Sequence, residues 1–223
     1  MKKILFALIA LTLIACSDDD GKASPDSKLV KKITTTGADE GDNKVYTFTY
    51  DAKNRIRRMK VTGEANLDFT IHYNEMDLIQ SIDDAGETPE TILVTYNENN
   101  RLETISSSGG STPFTYEEST GTYTYMGAVF QMDQGWNFLS WFGLGIESYA
   151  NAKGAFYNVK GNYTILQFIA ANDLVFVGGR LDFKNIKHNG QEVIGKISVH
   201  DEDGFPTQAN LGGLITKSVT YKY

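Results

Sequence analysis

The stretch "TFTYDAKNRIRRMKV", residues 47–61, returns at 70–84 as "TIHYNEMDLIQSIDD" and at 93–107 as "LVTYNENNRLETISS". Tyr50, Tyr73, Tyr96 and Tyr116 follow one another at intervals of 23, 23 and 20 residues. From each of the first three tyrosines, position +1 is Asp51, Asn74 or Asn97, position +6 is Ile56, Ile79 or Leu102, and position +9 is Met59, Ile82 or Ile105. Positions −4 and −2 are apolar as well: Tyr46 and Phe48, Phe69 and Ile71, Ile92 and Val94. Apolar residues at −4, −2 and 0 recur with period two, which places them on one face of a strand. The polar residues from +1 to +5 are turn-formers, and Asn54 and Asn100 suit a left-handed backbone at the end of a tight turn. The returning strand presents +6 and, after a shift of phase, +9. Each unit is a strand, a turn and a returning strand. One hairpin cannot bury its own apolar face, so the copies must stack edge to edge. The expected fold is all-β: an antiparallel meander of repeated hairpins, curled or barrel-like.

A fourth copy around Tyr116 keeps Phe114 and an acid at +1 but loses the +6 aliphatic. A fifth trace is "SVHDEDGFPTQA", with His200 in the tyrosine position, Asp201 after it and Gly204 where Asn54 stands. There Ile197 and Val199 alternate on the other parity, which sets this copy apart. Asn189-Gly190 between two apolar runs is a strong hairpin signal. Residues 154–183 read as three strands cut at Gly161, near Asn172-Asp173 and at Gly178-Gly179. Residues 136–153 do not alternate. They are expected to form an irregular or short helical plug over the sheet, with Phe138 and Leu139 buried in it. Twelve Tyr and twelve Phe fit a strand-rich chain.

The motifs "YDAKNRI" and "HDEDGFP" resemble the tyrosine-aspartate repeats of Rhs-type proteins. They resemble still more the Bacteroidota lipoproteins built from such β-repeats, among them a domain family of unknown function with a porin-like fold. The resemblance covers residues 44–107 well and 190–223 loosely. It implies a curled antiparallel sheet behind a lipid anchor. It implies no activity.

The chain begins MKKILFALIALTLIAC. Two lysines and an apolar run from Ile4 to Ala15 are too short for a membrane-spanning helix, which needs about 20 residues, and fit a signal peptide. Leu13-Ile14-Ala15-Cys16 resembles the bacterial lipobox, in which the cysteine carries the lipid. The acids after Cys16, Asp18 to Asp20, sit where Bacteroidota surface-export signals sit. The expected organisation is a signal peptide at 1–15, a flexible acidic tether at 16–28 and one β-repeat domain at 29–223. The expected location is the outer membrane, lipid-anchored and facing outward at the cell surface. Loss of Lys2 and Lys3 with the leader takes the formal charge from −7 to −9. That acidity argues against nucleic acid as a partner.

Cys16 is the one cysteine, so once acylated it leaves no thiol for a disulfide, a metal or catalysis. His72, His188 and His200 share no metal-ligand spacing, and no metal or cofactor is expected. A Gly-x-Ser-x-Gly elbow is absent. No catalytic residue is assigned. Both tryptophans fall in one short stretch, and Trp136, Trp141 and Phe142 are the candidates for a ligand platform. The expected function is a non-catalytic binding or scaffold module, with a glycan or an envelope protein as partner. The alternative is a surface hydrolase acting on glycan or peptide through turn carboxylates.

Overall fold

The computed structural model describes residues 27–39, 41–133, 135–169 and 173–223. Cys16, the leader and nearly all of the tether lie outside the described residues. Strands β1 (Lys32–Gly37), β2 (Lys44–Tyr50), β3 (Ile56–Gly63), β4 (Leu67–Tyr73), β5 (Ile79–Asp84), β6 (Glu90–Tyr96), β7 (Leu102–Ser107) and β8 (Gly110–Glu117) hold the clear repeats. Then come β9 (Thr122–Tyr125), β10 (Ala128–Met132), β11 (Phe138–Trp141) and β12 (Leu144–Lys153). Two short helices follow, α1 (Thr164–Ile169) and α2 (Asp173–Val177). Strands β13 (Leu181–His188), β14 (Gln191–His200), β15 (Pro206–Gly213) and β16 (Lys217–Lys222) complete the chain. Each strand pairs antiparallel with its sequence neighbours, and β1 pairs with β16, from Lys32↔Lys222 to Gly37↔Lys217. The meander is therefore a closed barrel of sixteen strands. Closure pairs the first strand with the last, so neither end of the meander is left as an edge strand.

The repeat sets the register through one shared device. Asp51, Asn74 and Asn97 each accept two backbone N–H groups of their own turn through the side-chain Oδ1, from residues +3 and +5. Asn54, Asp77 and Asn100 close these turns with φ near +60°, a region that Asn and Asp tolerate better than other side chains. A β-bulge follows each turn, so that Tyr50 faces Ile56 while Thr49 faces Arg58. The same shift recurs at Tyr73↔Ile79 and Tyr96↔Leu102. One inserted residue per return strand is why both +6 and +9 point inward.

Two further copies have the same geometry. Asp133 accepts from Gly135 N and Asn137 N, and Asp201 accepts from Asp203 N and Phe205 N. Trp136 and Gly204 take the left-handed position, with φ of 62° and 81°. In the first of these copies Met132 replaces the tyrosine, Phe138 is +6, Leu139 is the bulged residue and Trp141 is +9. Residues 138–141 and 144–153 are thus two strands of the wall, each paired with its neighbours, and the plug expected at 136–153 is not there. Leu139 is 50% exposed because the bulge turns it outward, against the expected burial.

The plug lies instead at residues 154–169 and 173–180, where the sequence suggested three strands. It enters the barrel from the end that carries the repeat turns. Lys160 N donates to Asn54 O at 3.0 Å. Asn162 accepts from Ile79 N at 2.7 Å and donates to Tyr96 Oη at 2.6 Å. Phe156, Val159, Tyr163, Ile165, Leu166 and Leu174 join one core with the inward strand residues Tyr46, Met59, Phe69, Ile82, Phe130 and Ile186. Each large apolar side chain so buried contributes about 1.5–3 kcal/mol.

The outward positions are polar: Thr49, Arg58, Lys60, Asp68, His72 and Thr95 alternate with the buried residues. A barrel that spans a membrane has the reverse arrangement, an apolar outer band around a polar interior. Among the described residues, no helix is long and apolar enough to cross a membrane.

Candidate functional site

At the turn end the repeat tyrosines form a collar. Tyr73 Oη donates to Ile56 O at 2.9 Å and Tyr96 Oη to Ile79 O at 2.7 Å, each reaching 17 residues back to the +6 carbonyl of the preceding copy. Tyr223 makes the same bond to Pro206 O at 3.1 Å, and Tyr50 donates to Val30 O at 2.6 Å. Burial pushes all four phenols above their ordinary pKa. The collar ties hairpin to hairpin and offers no free reactive group.

One copy departs from the apolar rule. In β14 the inward positions −4, −2 and 0 are Lys196, Ser198 and His200, where β2 has Tyr46, Phe48 and Tyr50. Asp182 of β13 faces them. Its Oδ1 accepts from Lys196 Nζ at 2.5 Å and its Oδ2 lies 3.1 Å from His200 Nε2. The Asp182 and Lys196 side chains are both buried. The ammonium also lies over the rings of Phe183 at 4.7 Å and Tyr221 at 5.8 Å. Burial lowers the pKa of Lys196, with Asp182 opposing the shift. Ser198 Oγ and Tyr221 Oη are buried without a hydrogen-bond partner. Sequences break local rules most often where function or strain requires it, and a buried Lys–Asp–His group in a repeat built on aliphatics is such a break.

The wall opens beside this group. The β13–β14 pairing runs from His188↔Gln191 to Asn185↔Gly195, whereas β14 stays paired with β15 as far as His200. β12 bulges between Ser148 and Lys153, and Tyr149 from the bulge donates to Lys196 O at 2.6 Å. Its ring meets His200 edge-on at 6.2 Å. Inside the opening lies a cavity of about 70 Å³, lined in part by Trp136, Thr164, Gln167, Asp182 and Lys196. Among the described residues, no group of three or more His, Cys, Asp and Glu side chains is placed to hold a metal ion.

The three residues proposed as a platform fall in different places. Trp136 stands at the collar end, edge-on to Tyr96 at 6.4 Å, and its carbonyl accepts from Thr164 Oγ1. Trp141 is buried, 4% exposed, among Phe130, Phe138 and Phe168. Phe142 is 53% exposed on the β11–β12 turn at the opposite end, its ring 4.8 Å from that of Trp141. His72 pairs with Asp83 on the outer wall at 2.8 Å. His188 is exposed beside the Asn189-Gly190 turn. Sequence reasoning passed over Lys196, Asp182 and Tyr149. The signal for the first was present: the shifted apolar parity of Ile197 and Val199 is the imprint of Lys196, Ser198 and His200 pointing inward.

Fold and site together define an all-β, antiparallel, closed barrel with a helical plug inside it and one polar inward strand. No protein-family model and no curated protein matches the chain. Among solved structures it is similar to a porin-like protein from Bacteroides uniformis, at 12% identity over 86% of this chain and 97% of that one, with a TM-score of 0.40. Nothing about this chain's activity follows from that likeness.

Proposed function

We propose that the chain is a lipid-anchored protein of the bacterial cell envelope, held at the outer membrane through Cys16 and displayed at the cell surface, in which the filled barrel is a non-catalytic binding or scaffold module. The observation that carries this reading is the polarity of the barrel. Its inward face is largely apolar and covered by residues 154–169 and 173–180, and its outward face is largely threonine and charge. Such a wall costs too much in hydrocarbon to be a spanning barrel, so the membrane link falls to the leader and its lipobox-like Leu13-Ile14-Ala15-Cys16. Five asparagine- or aspartate-capped turns with a shared bulge support kinship with the tyrosine-aspartate repeat lipoproteins. The hydrolase alternative has less support. Asp51, Asp133 and Asp201 each engage Oδ1 with two N–H groups of their own turn, which leaves them poorly placed as a converging pair.

The test is fractionation of cells expressing the wild-type chain or Cys16→Ser, with metabolic labelling by an alkyne fatty acid. The wild type should take the label, sediment with outer membranes and be cut by protease added to intact cells. Cys16→Ser should lose the label and leave the membrane on a carbonate wash. Retention of Cys16→Ser after that wash would favour a spanning barrel.

A further inference from the structure

We infer that the outer wall at β14–β15 is a binding groove for a neutral oligosaccharide. The groove encloses about 510 Å³, within the range of about 300–1,000 Å³ usual for ligand sites. Its floor is a cross-strand pair of glycines, Gly195↔Gly212. Glycine weakens a strand interior, and its presence there often marks the close approach of a ligand. Nothing in the fold requires Gly212: a Cβ placed on it meets no atom within 4 Å, and its backbone is not left-handed.

Three independent features point the same way. The wall carries an apolar side chain here: Ile197, which lines the groove, is 74% exposed, and Val199 beyond it is 55% exposed. The rim is polar and of mixed sign, with Lys184, Glu192, Asn210 and Tyr149 around the glycines. Third, Asn185, the cross-strand partner of Gly195, is buried and donates through Nδ2 to Glu192 at 3.1 Å, which holds that carboxylate at the rim.

The chemistry selects the ligand. Gly195 is paired on both sides, by Asn185 and by Gly212, and in the opening just beyond it Lys196 O already accepts from Tyr149 Oη, so the glycine floor itself offers a peptide no edge to extend. The occupant must lie on the face of the sheet. A pyranose ring offers one flat C–H face for the glycine floor and Ile197, and a rim of hydroxyls for Glu192, Asn210 and Lys184. One carboxylate against one ammonium gives the rim no net charge and favours a neutral sugar. Tyr149, fixed by its bond to Lys196 O, supplies a rigid aromatic wall.

The full-length lipidated chain in detergent is titrated calorimetrically with maltohexaose, cellohexaose, laminarihexaose, xylohexaose and mannohexaose. An oligogalacturonate and the peptide acetyl-(Val-Thr)3-amide serve as comparators. At least one neutral hexaose should bind with a Kd below about 1 mM. Gly212→Trp fills the floor and should weaken that binding by about tenfold or more while the melting temperature stays unchanged. Asn210→Ala, an exposed change that leaves the fold alone, should weaken it as well. Binding by none of the neutral sugars overturns the inference. So does binding that Gly212→Trp and Asn210→Ala leave intact, or binding only of the acidic sugar or only of the peptide.

Discussion

Tyr73 Oη donates to the carbonyl of Ile56 at 2.9 Å, across the boundary between one repeat and the next. The bond makes the tyrosine both a core residue and a clasp between hairpins, which explains why the motif holds this residue type where phenylalanine would pack as well. Tyr73→Phe should cost about 1 kcal/mol, the net value of one hydrogen bond. Tyr73→Ala should cost about 3–5 kcal/mol, as for other large aromatic truncations in cores. Urea denaturation of the two variants separates the clasp from the packing, and equal losses would show that the hydroxyl contributes nothing.

Asn162 joins the plug to two repeats at once, through Ile79 N and Tyr96 Oη. Asn162→Ala leaves a buried N–H without its acceptor, a penalty of about 1–3 kcal/mol. The loss should be local: hydrogen exchange should quicken at residues 154–180 and at the 74–78 turn, with β14–β16 little changed. Uniform quickening across the barrel would mean that the plug and wall unfold as one unit.

The Lys196–Asp182–His200 group tests whether the departure from the repeat serves the fold. Asp182→Ala strands a buried ammonium and should destabilise by about 3–5 kcal/mol. Replacing all three polar residues, Asp182→Leu with Lys196→Met and His200→Tyr, returns β14 to the repeat's apolar pattern. Well-packed apolar replacement of a buried ion group is often neutral or stabilising, by about 1–4 kcal/mol. The triple variant should therefore melt no lower than wild type. A lower melting temperature would make the group a structural requirement.

Burial raises the phenol pKa of Tyr50, Tyr73, Tyr96, Tyr163, Tyr221 and Tyr223. In the unfolded chain these groups ionise near pH 10, while in the folded chain they stay protonated well above it. Above that pH the unfolded state has lost protons that the native state keeps, so stability falls as pH rises. The contribution is complete below about pH 10 and is lost progressively above it. Tyrosinate absorbance and circular dichroism should change together in one steep alkaline transition. Gradual ionisation of these phenols in a chain still folded would contradict the collar.

Met126 occupies the first position of the two-residue turn Met126-Gly127 with φ of +50°, where the matching turn Asn189-Gly190 has asparagine at the same angle. A left-handed non-glycine residue costs about 1–3 kcal/mol, and asparagine tolerates that region far better than methionine. Met126→Asn should stabilise by about 1 kcal/mol, read as an upward shift of the urea midpoint. A downward shift would mean that the exposed Met126 side chain makes a contact the fold needs.

Much of the wall was legible because it is local. The period-two pattern, the Asp or Asn at +1 and the left-handed residue at +4 recur within short windows, and each dictates its own hairpin. The copy at Met132 was readable in principle from Asp133 and from Phe138 and Trp141 at +6 and +9. It was hidden because Met stands for Tyr and Trp for Asn. The copy at His200 is legible from Asp201 and Gly204, but its inverted parity sets it apart until the structure shows Lys196, Ser198 and His200 turned inward.

Residues 154–180 carried no such signal. Where a segment is buried inside a barrel its apolar residues form short runs, as in Thr164–Ile169 and Asp173–Val177, and their pattern cannot tell a buried helix from buried strands. The sequence by itself determined the hairpin, the turn chemistry, the bulge phase and the strand-rich class, since these depend on residues close together in the chain. Tertiary structure decided that the meander closes, β1 against β16, that residues 154–169 and 173–180 pack inside it, and that Asp182 meets Lys196 and His200. Those outcomes depend on contacts between distant segments, and on how much apolar surface a ring of sixteen strands leaves to be covered.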